Sequence, residues 1–367
     1  MRILVLTDLS SAHSKKWINA LIRQGIDVYV FGLTGIVQSE YPLLKSDHCF
    51  IEDMGGEISN KSDGNFSKVI YLKALPFIKK IIKKIKPDIL HSYYASSYGL
   101  LGALMHFKPF IVSVWGSDVY AFPGKSFLHK NVLKYVFNRA NFILSTSHIM
   151  AEEISLYTKN RIEVIPFGVD MSVFKKNKNR SIFSEDDIVI GTIKKLEKNY
   201  AIDVLIKAFK TLKDKYPKKS LKLLIVGGGI EERNLKNLVG ALNIQDDVHF
   251  TGWVPYSKVN EYHNELDIAA YLSINESFGV SVLESFACGV PVVASDALGF
   301  KEIVRHGENG LIVEKNNVEQ AVNAFEILLN DQEKRIQFGE AAIKYTSRCF
   351  NLVNNVKRTI ELYNKIL

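Results

Sequence analysis

Short runs of β-branched and other apolar residues alternate along the chain with longer stretches whose apolar residues recur every three or four positions. The runs predict β-strands, and the longer stretches predict amphipathic helices. The predicted strands cover residues 3–6, 27–31, 88–91, 110–114, 142–145, 163–165, 188–192, 222–226, 248–251, 268–271, 292–294 and 310–313. The predicted helices cover residues 15–24, 71–86, 130–139, 201–215, 230–242, 257–264, 281–288, 318–330 and 352–367. This alternation predicts an α/β fold of parallel sheets with right-handed crossovers.

The alternation occurs twice, and a chain of 367 residues is too long for one ordinary core. We therefore predict two Rossmann-like doubly wound domains, at 1–172 and 184–348, joined by a charged and polar linker at 173–183. The last stretch, 349–367, has no strand after it, and we expect a helix that crosses back towards the N-terminal domain. Open α/β sheets bind ligands at the carboxyl ends of their strands, so we expect both domains to face a central cleft.

The composition is that of an ordinary globular protein, with 47% hydrophobic and 23% charged residues. The net charge of +8 falls mainly on residues 1–170, where 20 Lys and Arg oppose 14 Asp and Glu. Five lysines cluster within residues 79–86, among isoleucines at helical spacing. Such a helix could rest on an anionic membrane surface, or its isoleucines could pack on the protein's own sheet. No aromatic residues interleave this basic segment, which argues against a nucleic-acid partner.

Three cysteines, Cys49, Cys288 and Cys349, lie far apart and form no CxxC or Cys/His pattern, so reduced thiols are expected and no zinc site is predicted. The chain begins with one basic and four consecutive apolar residues, a pattern typical of a β-strand rather than of a signal peptide. No apolar run approaches the roughly 20 residues that span a bilayer. We expect a cytoplasmic protein, free or held peripherally at the inner face of the plasma membrane.

The strongest chemical signal lies in the second half of the chain. Glu276 stands in a loop before a predicted helix, and Glu284 stands about two turns further on. The N–H groups of Gly279, Val280 and Ser281 would form an anion site at the helix start, where glycine lets a ligand approach closely. Glu284 could then accept hydrogen bonds from ribose hydroxyls, and Glu276 could face a sugar. The alternative is a helix whose acidic residues are placed by chance.

The segment around these residues, 275–291, closely resembles the E-x7-E motif of family 4 (group 1) retaining glycosyltransferases, which have the two-domain GT-B fold. Further resemblances follow in the family's order over essentially the whole chain, at 166–170, 224–229, 248–254, 299–304 and 307–311. The resemblance implies four further donor-binding residues, which are Gly227, Trp253, Val254 and Phe278. Any one segment is weak evidence, but their order and spacing together are specific.

The family holds the donor diphosphate with an Arg and a Lys in one loop. The corresponding region here, 191–203, is longer and contains no Arg. Lys194 is the best match to the arginine and Lys198 to the lysine, while Lys195 could replace either. Two cations would bind the diphosphate and stabilise the charge that grows on it as the sugar departs. Each lysine taken singly could also be an ordinary surface residue.

The N-terminal half carries candidate acceptor or cleft residues. His13 lies at a helix entrance, in a region where many relatives have a Gly-Gly loop that this chain lacks, and it could instead cap or pack. His91 ends a segment that resembles the family's PDxxHxH strand end. Trp115 stands where the family usually has a histidine that contacts the donor sugar, so it either stacks on a sugar or fills the cleft wall. The residues after it match the family, and they are Gly116, Ser117 and Asp118.

The resemblance implies a retaining, metal-independent hexosyl- or N-acetylhexosaminyltransferase. Its donor would be a nucleoside-diphosphate sugar, with UDP the commonest nucleotide and GDP an alternative. A glycan or polyprenyl-diphosphate-linked acceptor fits the basic N-terminal half, as in the synthesis of lipopolysaccharide or another cell-surface polysaccharide. No cofactor is expected, since the sugar nucleotide is a substrate and no DxD pair for a metal stands at a strand end. The alternatives are a non-hydrolysing UDP-sugar 2-epimerase of the same fold and a non-enzymatic sugar-binding protein.

Overall fold

A computed structural model of the chain describes residues 1–35, 38–54, 66–177 and 180–367. The chain divides into two compact units. Unit 1 comprises Met1–Phe167 together with Leu352–Leu367, and unit 2 comprises Gly168–Asn351. The segment predicted as a linker, 173–183, falls within unit 2, and its residues 178 and 179 lie outside the described part of the chain.

Strands and helices alternate through unit 1. They are β1 (Arg2–Leu6), α1 (Ala12–Arg23), β2 (Asp27–Gly32), β3 (Cys49–Ile51), α2 (Leu75–Ile85), β4 (Ile89–Tyr93), α3 (Tyr98–Leu104), β5 (Phe110–Val114), α4 (Ser117–Tyr120), α5 (Phe127–Arg139), β6 (Phe142–Ser145), α6 (His148–Ser155) and β7 (Ile162–Val164). The strands form one parallel sheet in the order β3-β2-β1-β4-β5-β6-β7. The order reverses between β1 and β4, as in doubly wound nucleotide-binding folds.

Unit 2 repeats the arrangement. Its elements are β8 (Ile188–Ile193), α7 (Ile202–Lys215), β9 (Leu221–Val226), α8 (Glu232–Ala241), β10 (Val248–Gly252), α9 (Val259–Asn264), β11 (Ile268–Tyr271), α10 (Val280–Ala287), β12 (Val292–Ser295), α11 (Leu298–Ile303), β13 (Gly310–Val313), α12 (Val318–Asn330) and α13 (Gln332–Cys349). The strands form a parallel sheet in the order β10-β9-β8-β11-β12-β13, which reverses between β8 and β11.

Short 3-10 turns connect several of these elements, at Gln38–Glu40, Ser46–His48, Phe66–Ala74, Pro123–Lys125, Lys198–Tyr200, Gln245–Asp247 and Tyr256–Lys258. Central strands such as β1, β4 and β5 are buried along nearly their whole length, because helices cover both faces of each sheet. This explains why they appear in the sequence as continuous apolar runs rather than as alternating patterns.

The last helix, α14 (Leu352–Ile366), belongs to unit 1 although it follows unit 2 in the sequence. Its apolar face is buried, with Val356 and Tyr363 fully inaccessible. The amide of Asn355 donates to the carbonyl of Pro166 at 3.0 Å, and the hydroxyl of Tyr363 lies 2.7 Å from Nδ1 of His91. The helix is therefore fixed to unit 1 by packing and by specific hydrogen bonds.

The basic helix α2 resolves one of the alternatives left by the sequence. Ile78, Ile81 and Ile85 are all buried in the core of unit 1, at 5% exposure or less. Its apolar stripe therefore packs on the protein's own sheet, and its lysines are exposed. None of the helices that the structure describes has the length and apolarity needed to span a membrane.

Candidate active site

Lys194 and Glu276 form an ion pair at the carboxyl edge of the unit 2 sheet. Lys194 directly follows β8, and Glu276 lies in the loop after β11, the strand beside β8. The Nζ of Lys194 is 2.5 Å from Oε2 of Glu276, and the two side chains are only 11% and 16% exposed. Since the strand order reverses between β8 and β11, the pair stands where open α/β sheets bind ligands.

Three aromatic rings lie around the ammonium group of Lys194. Its Nζ is 4.9 Å from the centre of the Tyr200 ring and 5.9 Å from the centres of the Tyr271 and Phe300 rings. Ring faces attract a cation, and the attraction grows where water is excluded. Burial raises the pKa of the Tyr200 hydroxyl, and the charge of Lys194 partly offsets that rise. The site therefore holds a positive charge in surroundings with little water.

The loop that carries Lys194 is fixed by backbone packing against the glycine turn after β9. Gly227 has a φ of +132°, and a Cβ at this position would lie 2.0 Å from the carbonyl oxygen of Lys194. At Gly229 a Cβ would lie 2.3 Å from the carbonyl oxygen of Leu196. The N–H of Lys194 also donates to the carbonyl of Val226 at 3.0 Å. Gly227 thus contacts the backbone of the lysine loop and positions it.

Asn199 joins this loop to the loop that carries Glu276. Its side-chain amide donates to the carbonyl of Asn275 at 2.9 Å and accepts from the N–H of Asn275 at 3.2 Å. Its own carbonyl accepts from the N–H of Ile274 at 2.7 Å. These hydrogen bonds hold the two loops together without using either charged side chain of the ion pair.

Helix α10 begins directly after Gly279, one residue before the start predicted from the sequence. Gly279 has a φ of +103°, and a Cβ here would lie 2.8 Å from the ring of Phe300. The first N–H groups of a helix have no acceptor within it, so those of Val280 and Ser281 are directed out of the helix end. A glycine is required at this turn by both the backbone conformation and the neighbouring ring.

Phe278, which we predicted as a donor-binding residue, lies in the interior. Its side chain is 3% exposed, and its ring lies 5.9 Å from that of Phe350 in an edge-on arrangement. The preceding loop is tightly packed, since the N–H of Gly299 donates to the carbonyl of Glu276 at 3.0 Å. The Phe278 ring therefore serves the core, and only its backbone stands near the helix start.

Glu284 lies on α10 and is 4% exposed. Its Oε1 accepts a hydrogen bond from the hydroxyl of Tyr256 at 2.8 Å, and its Oε2 lies 3.7 Å from Nε2 of His263. Burial, followed by the charge of Glu284, raises the pKa of the Tyr256 hydroxyl. Ligand hydroxyls that reach this carboxylate must share it with Tyr256 or displace that side chain.

The remaining predicted donor residues are more accessible. Lys195 and Lys198 are exposed, and Lys198 borders a separate hollow that also contains Glu197. Trp253 follows β10 and is 78% exposed, while Val254 is half-buried. Among the described residues no ion pair joins Lys195 or Lys198 to Glu276. The structure thus brings Lys194 to Glu276 and leaves the other two lysines at the surface.

In unit 1, the side chains of His91 and Asp118, which we predicted as acceptor or cleft residues, are buried. His91 is 1% exposed, its Nε2 lies 2.8 Å from the hydroxyl of Ser113, and burial lowers its pKa to about 3. Asp118 is fully buried and accepts from the N–H groups of Ala95 and Gly116, each at 2.8 Å. Burial raises the Asp118 pKa to about 6 against these hydrogen bonds. Both side chains hold strand ends in place.

His13 and Trp115 lie together at the carboxyl edge of the unit 1 sheet. The ring of His13 stacks on that of Phe167 at 4.2 Å and meets Trp115 at 5.7 Å. Gly116 has a φ of +139° and starts the short helix α4, where the exposed Ser117 hydrogen-bonds to Tyr94. His13 and Trp115 therefore remain at the edge of the sheet where ligands bind, in a common aromatic cluster.

Two family models match the chain. The model described as glycosyl transferases group 1 matches residues 173–345, and the model described as glycosyl transferase 4-like matches residues 2–147. The first takes in all strands of the unit 2 sheet, and the second takes in β1 to β6 of unit 1. Residues 173–345 belong to the group 1 glycosyltransferases, and the two models together span most of the chain.

Similar proteins place the chain among known folds. D-inositol 3-phosphate glycosyltransferase of Pseudarthrobacter chlorophenolicus is 33% identical over 215 residues, which are 55% of this chain and 50% of that protein. The chain thus spans about half the length of that relative and of several others. Sucrose-phosphate synthase from Thermosynechococcus elongatus has a TM-score of 0.81 at 18% identity, over 100% of this chain and 99% of the other. Anabaena HepE, solved in complex with UDP, has a TM-score of 0.80 at 19% identity over all of both chains. These likenesses establish the predicted GT-B fold.

Several residues of the site were not predicted from the sequence. Tyr200, Asn199 and Tyr256 all lie in loops after strand ends, but polar and aromatic residues are common in such loops. The Tyr256–Glu284 contact joins positions 28 apart, and no local spacing rule indicates it. Aromatic residues just beyond a predicted strand end would have been the usable signal.

Proposed function

We propose that the chain is a retaining glycosyltransferase that moves a hexose or N-acetylhexosamine from a UDP-sugar to a sugar-containing acceptor. The observation that carries this proposal is the Lys194–Glu276 ion pair, held beside the start of α10 at the strand-order reversal of unit 2. The carboxyl edge of the unit 2 sheet thus offers a carboxylate to sugar hydroxyls. It also offers a cation and the N–H groups of a helix start to a diphosphate. The complex of HepE with UDP, a protein of the same fold, supports uridine as the nucleotide.

Each part of the donor has a matching group in this arrangement. The diphosphate lies at the N–H groups of Gly279 to Ser281, with Lys198 as an exposed cation. The ribose hydroxyls donate to Glu284, and Tyr256 yields one carboxylate oxygen to them. The exposed indole of Trp253 offers a stacking surface to the base. Lys194 directs the carboxylate of Glu276 towards the sugar and adds positive charge near the leaving phosphate.

In the transfer step the bond between the sugar C1 and the diphosphate oxygen breaks, and its electron pair leaves with the nucleoside diphosphate. The acceptor oxygen attacks C1 on the same face, and its proton passes to the leaving phosphate oxygen, so charge and atoms balance. Preorganised N–H groups and Lys194 stabilise the charge that grows on that oxygen. Metal ions are not required, because cations and helix dipole supply this stabilisation.

We place the acceptor in unit 1, and a glycan or a polyprenyl-diphosphate-linked glycan of cell-surface polysaccharide synthesis is the proposed class. The exposed lysines of α2 allow peripheral contact with an anionic membrane through charge, since Ile78, Ile81 and Ile85 of that helix are buried. Such contact should weaken steeply with added salt, as measured by co-sedimentation with vesicles that contain phosphatidylglycerol.

A thermal-shift panel tests the donor half of the proposal. UDP, GDP and their common sugar derivatives are each added to the full chain, and the true donor nucleotide should raise the midpoint as its concentration rises above Kd. Lys194→Met and Glu276→Gln should weaken the response to the sugar nucleotide. If no nucleoside diphosphate shifts the midpoint at millimolar concentration, the donor site is wrongly assigned.

A further inference from the structure

Unit 1 contains a cavity of about 330 Å³ whose lining residues all belong to that unit. It lies at the carboxyl ends of four strands, with Thr7 and Asp8 after β1, Leu33 and Thr34 after β2, Tyr93 at the end of β4 and Trp115 after β5. The strand order reverses between β1 and β4, so this is the ligand-binding position of a doubly wound sheet. The volume is within the roughly 300–1,000 Å³ of small-molecule sites.

Aromatic side chains dominate the lining of this cavity. They are Tyr71, Tyr93, Tyr94, Tyr98 and Trp115. The rings of Tyr93 and Trp115 lie 5.2 Å apart at an angle of 40° and form a tilted wall. A pyranose ring has apolar C–H faces and a rim of hydroxyl groups. Aromatic rings can bury such a face and leave the rim available for hydrogen bonds.

Two polar groups of the cavity lack a full set of partners. Oδ1 of Asp8 accepts from the N–H and the hydroxyl of Ser10 at 2.9 and 2.8 Å and from the hydroxyl of Thr34 at 3.3 Å, whereas Oδ2 accepts from none of the described residues. The buried hydroxyl of Tyr93 likewise has no partner within the described part of the chain. A buried hydroxyl without a partner costs free energy, which a ligand hydroxyl would recover.

The charge of the cavity selects against anions. Within the described residues its lining contains no lysine, arginine or histidine, and Asp8 is its charged group. A phosphate placed here would lose hydration and face a carboxylate without a compensating cation. An uncharged ligand with several hydroxyl groups meets neither penalty.

We propose that this cavity binds the acceptor as an uncharged sugar ring, stacked on the Tyr93–Trp115 wall with its hydroxyls on Asp8 and Tyr93. The proposal rests on the transferase function proposed above and narrows the acceptor to a class recognised through a neutral ring. The diphosphate of a lipid-linked acceptor, where one is present, lies outside this cavity. Asp8 and Tyr93 are then positioning residues for the acceptor.

Ligand binding to the full chain, followed by saturation-transfer NMR and titration calorimetry, tests the proposal. The neutral probes are the methyl glycosides of glucose, galactose, mannose and N-acetylglucosamine. The charged probes are D-inositol 3-phosphate and farnesyl diphosphate. At least one methyl glycoside should bind at millimolar concentration, and added nucleotides should not displace it. The charged probes should not displace the methyl glycoside either.

Three variants make the test specific. Asp8→Asn should weaken methyl glycoside binding about tenfold, since it removes a hydrogen bond to a charged acceptor. Tyr93→Phe should also weaken it, while the unfolding midpoint stays level or rises because an unpaired buried hydroxyl is gone. Glu152→Gln removes one exposed carboxylate of α6 and is the matched control, with unchanged binding.

The proposal is overturned if no methyl glycoside binds, if the charged probes displace the neutral ones, or if Tyr93→Phe lowers the midpoint and leaves sugar binding intact. The donor proposal is tested separately on the same samples, by measuring whether UDP raises their unfolding midpoint. A UDP shift without glycoside binding removes only the acceptor proposal. Glycoside binding without any nucleotide shift removes only the donor proposal.

Discussion

Replacing Glu276 with glutamine leaves the Lys194 ammonium nearly buried without its carboxylate. The two side chains are 11% and 16% exposed, so water can compensate little of the lost interaction. Breaking a fully buried pair costs about 3–5 kcal/mol, and this slightly exposed pair should cost roughly 2–4 kcal/mol. In a domain of the size of unit 2, each kcal/mol lowers the unfolding midpoint by roughly 2–4 °C. We therefore expect Glu276→Gln to lower the midpoint by about 5–10 °C.

Differential scanning calorimetry of a double-mutant cycle gives the decisive comparison. Lys194→Met should destabilise by a similar amount, whereas the double variant should recover most of the loss because no unpaired charge remains. The coupling free energy should be about 2 kcal/mol or more. Lys198→Ala, which alters an exposed lysine of the same loop, is the control and should change the free energy of unfolding by no more than about 0.5 kcal/mol. Additive single effects, or a Glu276→Gln midpoint equal to that of the unchanged protein, would refute the buried pair.

Three further predictions concern affinity, pH and metals. Tyr256→Phe removes the hydrogen bond from the Tyr256 hydroxyl to Oε1 of Glu284, and UDP affinity in titration calorimetry should rise about fivefold; weaker binding would mean that Tyr256 itself holds the ribose. Burial lowers the pKa of His91 from 6.5 to about 3, so the folded state binds fewer protons than the unfolded state between these pH values. The free energy of unfolding should therefore fall as the pH drops below about 6.5. Asp118 has the opposite effect: its pKa is raised to about 6, so it favours the folded state as the pH falls from about 6 to 4. The effect of His91 is therefore isolated by comparing His91→Asn with the unchanged protein, and the stability of the variant should fall less towards acid pH. Sugar transfer should persist in EDTA, and loss restored by Mg²⁺ or Mn²⁺ would refute a metal-independent reaction.

The strands were predictable because they lie in parallel sheets covered on both faces, which demands continuous apolar runs. Each predicted strand corresponds to one in the structure, with ends shifted by two residues at most. The missed strand β3 has three half-buried residues at a sheet edge, where such a run is not required. Five of the helices that the structure describes were missed, namely α3, α4, α6, α11 and α13. The longest of them, α13, buries mainly small or polar positions such as Gly339, Ala342 and Thr346, so its apolar periodicity is weak.

The site was predictable only in part, for a related reason. Glu276 and Lys194 could each be singled out, but their pairing joins loops 82 positions apart and depends on which strands are neighbours. His91 and Asp118 match family segments, yet a motif does not reveal whether a side chain faces solvent or core. In this chain both are buried by the helices and loops around them.

NMR observation of the transfer reaction tests the central claim most directly. The full chain is incubated with a panel of ¹³C-labelled UDP-sugars and methyl glycoside acceptors, and the anomeric signals are followed with and without acceptor. The account predicts a new glycoside with the donor's anomeric configuration, formed together with free UDP and only when acceptor is present. A product of inverted configuration, or a donor sugar altered at C2 in the absence of acceptor, would contradict it.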